Sequence, residues 1–341
     1  MSARVACFGE MLLRLAADRG ELLCTARELA VHVGGAEANV AIALAHFGHP
    51  TAMITVVPQG ALGERCVSEL RCHGVDSAAV QFAAGRMGLY FLERGAGLRP
   101  AQVVYDREHS AFARQIAYGV PWERVLAGAE WLHVSGITAA LSAEAAGTLT
   151  TGVRAAHARH VRVSFDCNYR PSLWRERAEE AGSVLREIAA HAEILFANAH
   201  DLALILGVPP PLEASAGDAV DMFDALAQAV FAQFASVQQI ATTQRHEPTA
   251  EAQELAGRLA TRAGVLHSRV YALRDIIERI GSGDAFAAGI LHGALSGFDP
   301  QHALEFATAA ACLKHTVAED FSLAGMQHVD ALLRGETALR R

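Results

Sequence analysis

Alternation is the feature that most constrains this chain. Short, β-branched apolar runs at 5–8, 51–57, 131–134, 161–165, 193–196 and 238–242 are separated by longer Ala/Leu-rich stretches of helical periodicity at 36–47, 62–73, 142–160, 174–191 and 218–234. A run without polar alternation has to be buried on both faces, and a helix-length connection returns the chain to the same end of the sheet. The pattern therefore predicts an α/β fold whose mostly parallel sheet is covered by helices on both sides. Two segments break the rhythm. Runs 89–93 and 102–107, joined through Gly95, Gly97 and Pro100, predict a hairpin paired with strands near 11–15 and 29–33, an insertion that behaves as a lid. Runs 255–261 and 265–271, flanking Arg262-Ala263-Gly264, predict a second hairpin, with a helix over 250–261 as the alternative by propensity. Pro209-Pro210-Pro211 reads as a surface turn, and no repeat or linker divides the chain, so the expectation is one domain over 1–341 with lid strands at about 10–35 and 86–110.

Composition removes several function classes. The formal charge of -8 comes without a basic stripe or aromatic-interleaved patch, which argues against a nucleic-acid partner. No apolar run approaches the roughly 18 residues of a membrane span, and Glu10 and Arg14 interrupt the first segment too early for a signal peptide, so a cytoplasmic location is expected. The six cysteines contain no C-x-x-C pair and read as reduced and mostly buried. His157 and His160 sit in an Arg-flanked helix, a solvated face rather than a metal site. Of 29 Lys and Arg residues only Lys314 is lysine. That count excludes a P-loop and the strand lysine of a protein kinase, and an aldolase-type Schiff base would depend on Lys314 with no supporting motif.

What remains is a small-anion chemistry at Ile280-Gly281-Ser282-Gly283-Asp284-Ala285-Phe286. Glycines at a helix start let the backbone approach a ligand, and the free N–H groups and dipole of the first turn face an arriving anion. Asp284 in that turn is placed to take a proton from a hydroxyl attacking a phosphate. Taken alone, the segment fits a Gly-rich turn with a capping Asp equally well. A second glycine-led helix start, Gly34-Gly35-Ala36-Glu37-Ala38-Asn39, offers the same donors near the other end of the chain.

Together the two segments resemble the paired signatures of the ribokinase-like (PfkB) carbohydrate kinases, over about residues 5–321. The resemblance implies a three-layer α/β/α sandwich with a small β-strand lid. Within the family, His133-Val134-Ser135-Gly136-Ile137-Thr138, Phe165-Asp166-Cys167-Asn168-Tyr169-Arg170-Pro171 and Lys314-His315-Thr316 through Asp320-Phe321 are similar to the 2-keto-3-deoxygluconate kinases. It implies ATP-dependent phosphorylation of the terminal 6-hydroxyl of that sugar acid. Carried over residue by residue, Asp284 is the base and Gly281, Ser282 and Gly283 form the anion hole. Gly34, Gly35, Ala38, Asn39, Tyr90, Tyr105, Arg107, Arg170 and Asp320 contact the substrate. Asn168, Asn198, Thr243, Arg245, Gly281, Gly283 and Thr308 face the nucleotide. Guanidinium groups at Arg107 and Arg170 suit a carboxylate-bearing sugar, although an arginine considered alone is a surface charge and Tyr90 and Tyr105 are equally good lid packing.

The chain departs from the family pattern in places. Asn198-Ala199-His200-Asp201 stands where N-x-x-E is usual, which leaves Asp201 to act on Mg²⁺ through water. Glu278 replaces the usual Asp before the phosphate loop, which puts a monovalent-cation site in doubt. Gln244-Arg245-His246 replaces a glycine-rich turn in a loop expected at 243–248. The rival readings are a fructokinase or ribokinase-type enzyme, a nicotinamide dehydrogenase, and a non-catalytic sugar-binding relative. The dehydrogenase fails because the third glycine of G-x-G-x-x-G would fall at Phe286. A homo-oligomer formed through the lid is expected.

Overall fold

In the computed structural model, which describes residues 5–116, 119–209, 216–249 and 252–336, the apolar runs assemble into one ten-stranded sheet. Its strands are β1 (Val5–Phe8), β4 (Thr51–Pro58), β5 (Val80–Ala83), β8 (Trp131–Ser135), β9 (Arg162–Asp166), β10 (Ile194–Phe196), β11 (Gln239–Thr249), β12 (Ala252–Thr261), β13 (Gly264–His267) and β14 (Tyr271–Leu273). The spatial order is β13-β12-β11-β10-β9-β8-β1-β4-β5, with β14 pairing β12. From β11 to β5 every pairing is parallel, and β12 pairs antiparallel with β11, β13 and β14. Successive side chains point to opposite faces. Ala6 and Phe8 thus pack with helices Ala143–Ala158 and Ala178–Ala189, while Val5 and Cys7 pack with helices Ala36–His46, Ser282–Ser296 and Pro300–Lys314. The result is the expected three-layer ribokinase-like sandwich.

The four lid strands β2 (Leu12–Ala16), β3 (Ala30–Gly34), β6 (Gly88–Glu93) and β7 (Gln102–Asp106) form a separate sheet in the order β3-β2-β6-β7. Their register sets Arg14 beside Tyr90 and Tyr90 beside Tyr105, so one row of side chains points toward the core. The same face carries Leu12, Ala16 and Leu92, which pack with Ile280 of the glycine loop.

Several boundaries differ from the sequence reading. The segment 243–248 is not a loop, because β11 continues to Thr249 in an antiparallel ladder with β12. That ladder also removes the helix alternative at 250–261. The hairpin partner expected at 265–271 is two strands, β13 and β14. Helix 174–191 is broken into Pro171–Trp174, a 3₁₀ turn at Arg175–Arg177 and Ala178–Ala189. The sequence reading passed over β5 and the short helices Ala111–Gln115 and Trp122–Val125. Of the triple proline, Pro210 and Pro211 lie outside the described residues. No helix among the described residues is long and apolar enough to cross a membrane.

Candidate active site

Parallel strands place their C-terminal ends on one rim, and in open α/β sheets that rim holds ligands. Here Asp166 ends β9, Phe196 ends β10, and the lid folds over them, enclosing a cavity of about 550 Å³. The helix Ser282–Ser296 starts at its floor. Gly281 turns the chain there with φ +80°, and a Cβ at that position would collide with the Asp320 carbonyl oxygen, so only glycine fits. Asp284, in the first turn, is half-buried on the floor and accepts a 2.7 Å hydrogen bond from Asn39 Nδ2. The other glycine-led helix brings Asn39, which makes the two distant signatures one unit. Asn39 Oδ1 is buried and finds no hydrogen-bond partner among the described residues, so an acceptor stands ready beside the base.

Charge accumulates at this floor. Burial pushes the Asp284 carboxyl up to about 7; the Asn39 donor opposes it, the negative charge of Asp320 adds to it, and Lys314 and Arg170 oppose it. Glu37, buried behind the floor and bonded by the Thr138 hydroxyl at 2.8 Å, is also raised by burial to about 7. Asp166 is held well above the carboxylate range by burial and by the charges of Asp284, Asp201 and Glu37, with Arg170 relieving it in part. A carboxylic acid near neutrality can exchange a proton at physiological pH.

On the lid side, Tyr90 Oη donates to Asp320 Oδ2 at 2.5 Å and faces Tyr105, their ring centroids 6.2 Å apart. Arg107 lines the cavity, but its Nε and Nη2 are held by Glu10 at 2.8 and 2.7 Å. It is therefore a fixed guanidinium rather than a free one. Arg170 also lines the cavity, and its side chain has no hydrogen-bond or ion-pair partner among the described residues. On the remaining side, Asn168 Nδ2 donates to Asp166 Oδ2 at 3.2 Å, and Arg245 Nη2 donates to Ser282 Oγ at 3.0 Å. Asn198 and Asp201 form a reciprocal capping box at the start of helix Ala199–Leu206, which orients the nearly buried Asp201 carboxylate.

The cavity is lined by Gly35, Asn39, Tyr90, Tyr105, Arg107, Asn168, Arg170, Asn198, Asp201, Thr243, Arg245, Gly281, Ser282, Gly283, Asp284 and Asp320, all of them expected from sequence. Three expected contacts lie off it. Gly34 faces Asp320, where a Cβ would strike that carboxylate; it allows a close approach and leaves the ligand to others. Ala38 is buried in the core below the lid. Thr308 is fully buried, donates back to the Leu304 carbonyl at 2.8 Å and abuts Gly257. Sequence reasoning gave no role to Asp166, Glu10 or Glu37. The signal for Asp166 was its position just after a buried strand run; Glu10 and Glu37 act through partners about a hundred residues away.

Known proteins resemble the chain over nearly its whole length. The pattern of the pfkB family carbohydrate kinases matches residues 2–320. The chain is 29% identical over 340 residues to the 2-dehydro-3-deoxygalactonokinase of Haloferax volcanii, covering 99% of each protein. It is 29% identical over 313 residues to the 2-dehydro-3-deoxygluconokinase of Thermoproteus tenax, covering 89% of this chain and 86% of the relative. The crystal structure of 2-dehydro-3-deoxygluconokinase from Thermotoga maritima superposes with a TM-score of 0.91 at 34% identity, covering 98% of this chain and 100% of that one.

Proposed function

The chain belongs to the pfkB family of carbohydrate kinases, and on that premise we propose that it transfers the γ-phosphate of ATP to the terminal 6-hydroxyl of 2-keto-3-deoxygluconate. The observation that carries the chemistry is Asp284, a carboxyl raised to about 7 beneath a glycine-led helix start and bonded to Asn39. Asp284 takes the hydroxyl proton as the sugar oxygen bonds to phosphorus and the bond to the ADP oxygen breaks. The N–H groups after Gly281 and the Ser282 hydroxyl, held by Arg245, face the phosphate oxygens. Catalysis is then mainly positioning and charge neutralisation, the base contributing on the order of 10²–10⁴ in rate. Arg170 and the Glu10-fixed Arg107 read the substrate carboxylate, with Tyr90 and Tyr105 over the sugar. Closure of the lid over bound substrate would limit ATP hydrolysis by excluding water.

Burial first, and then the neighbouring carboxylates, raise Asp166; a divalent cation would offset both, and hard oxygen donors at Asp166 and, through water, at Asp201 fit Mg²⁺. That ion would neutralise the β- and γ-phosphates. The residues do not fit a dissolved monovalent cation at Glu278, since Oε2 is paired with Arg14 and Arg94 and Oε1 accepts the N–H groups of Arg279 and Ile280. The relative named for the galactonate epimer makes that sugar acid the second substrate to assay. The lid exposes Val31 and Val104, an apolar surface suited to a second copy and hence to a homo-oligomer. Phosphorus NMR of a mixture with ATP, Mg²⁺ and 2-keto-3-deoxygluconate should show a 6-phosphoester. Asp284→Asn should lower kcat by about 10²–10⁴ with little change in KM for ATP. Absence of any ester from either epimer, or near-normal kcat in the variant, would overturn this assignment.

A further inference from the structure

The chain's only lysine is not at the surface. Lys314, the last residue of helix Pro300–Lys314, has no solvent exposure, in a protein that otherwise uses arginine for every positive side chain other than histidine. Burying an ammonium costs several kcal/mol, so its place calls for an explanation. Its stem runs behind the glycine turn: Lys314 Cε is 3.4 Å from where a Cβ at Gly281 would stand. Its Nζ reaches the Val317 carbonyl at 3.4 Å, at the turn leading to Asp320, whose own carbonyl oxygen blocks any side chain at Gly281. The side chain therefore lies against the two segments that shape the floor, Cε beside the Gly281 turn and Nζ on the Val317 carbonyl.

We propose that Lys314 is a positioning residue for phosphoryl transfer, a built-in cation that fixes the Gly281 turn from behind and adds positive potential to the helix start facing the transferred phosphate. Its charged surroundings support the geometry. Glu278, Asp320 and Asp284 favour its charged form, Arg14 disfavours it, and burial is the larger effect, bringing it down to about 8. His315, its neighbour in sequence, is held largely neutral by burial, at about 4. A compact ammonium fits behind a glycine turn where a planar guanidinium is bulkier, which accounts for lysine in an arginine-rich chain.

The inference rests on the kinase reading above, and the experiment separates the two. With ATP and 2-keto-3-deoxygluconate, Lys314→Met should lower kcat by about 10- to 100-fold while both KM values stay within about threefold. Lys314→Ala should regain part of its kcat in added methylammonium, which leaves the wild type unchanged. Should the methionine variant fail to fold, wild-type kcat should still fall as pH rises through about 8. Near-normal kcat in Lys314→Met overturns the proposal. So do loss of activity without amine rescue and a wild-type profile that stays flat through pH 8. An inactive wild type instead removes the kinase reading, and the proposal with it.

Discussion

Removing the partner of the base should move the pH dependence of the reaction before it changes anything else. Asn39 Nδ2 donates to Asp284 Oδ2 at 2.7 Å, and this bond holds the carboxyl below where burial alone would put it. A hydrogen bond to a charged group contributes about 1.5–3 kcal/mol. Asn39→Ala should therefore raise the Asp284 pKa by about one to two units, at 1.36 kcal/mol per unit. Starting from about 7, half of the base is ionised at neutral pH. After the shift about 1–10% is ionised, so kcat/KM at pH 7 should drop about 5- to 50-fold below wild type, a deficit that should shrink, relative to wild type at the same pH, on raising the pH toward 9. The assay is a coupled ADP-release profile of kcat/KM from pH 5.5 to 9.5 for wild type and variant. An acid limb that stays in place in Asn39→Ala would refute the argument that Asp284 acts as the base and that Asn39 tunes it.

Two further outcomes follow from the same geometry. Asp201→Ala should raise the Mg²⁺ concentration for half-maximal rate with little change in sugar KM, and loss of its capping box should cost about 1 kcal/mol of stability. An unchanged Mg²⁺ titration alongside a lowered Tm would leave Asp201 only its cap. Light scattering at micromolar concentration should give a mass above the 36.2 kDa of one chain, and Val104→Glu on the exposed lid strand should shift it toward that mass; a wild type already at that mass would exclude the lid contact.

What could be read from the sequence was what local pattern controls. The runs at 5–8 and 51–57 became strands because every residue in them is buried, and the two glycine-led helix starts became one floor joined by the Asn39–Asp284 hydrogen bond. Pairing with distant residues was not legible. Arg107 looked like a free guanidinium because nothing nearby in sequence announces Glu10, ninety-seven positions away. Gln244-Arg245-His246 was expected in a loop because the family pattern has a glycine-rich turn there, yet β12 supplies a ladder that holds them extended. Thr308 was carried over from a family position, and its helix turns the hydroxyl back onto Leu304 instead.

The central claim is that this cavity reads a carboxylate as well as a hydroxyl, and a sugar panel tests it most directly. On the proposed reading a neutral sugar would leave Arg170 without the carboxylate it meets, while Arg107 keeps Glu10. A polar site that loses its partner typically discriminates by about 10³–10⁵. In kcat/KM measured by ADP release, 2-keto-3-deoxygluconate should therefore exceed fructose and ribose by at least about 10³, and Arg170→Met should erode that margin by weakening the keto-acid alone. Comparable kcat/KM for fructose and the keto-acid would contradict the account.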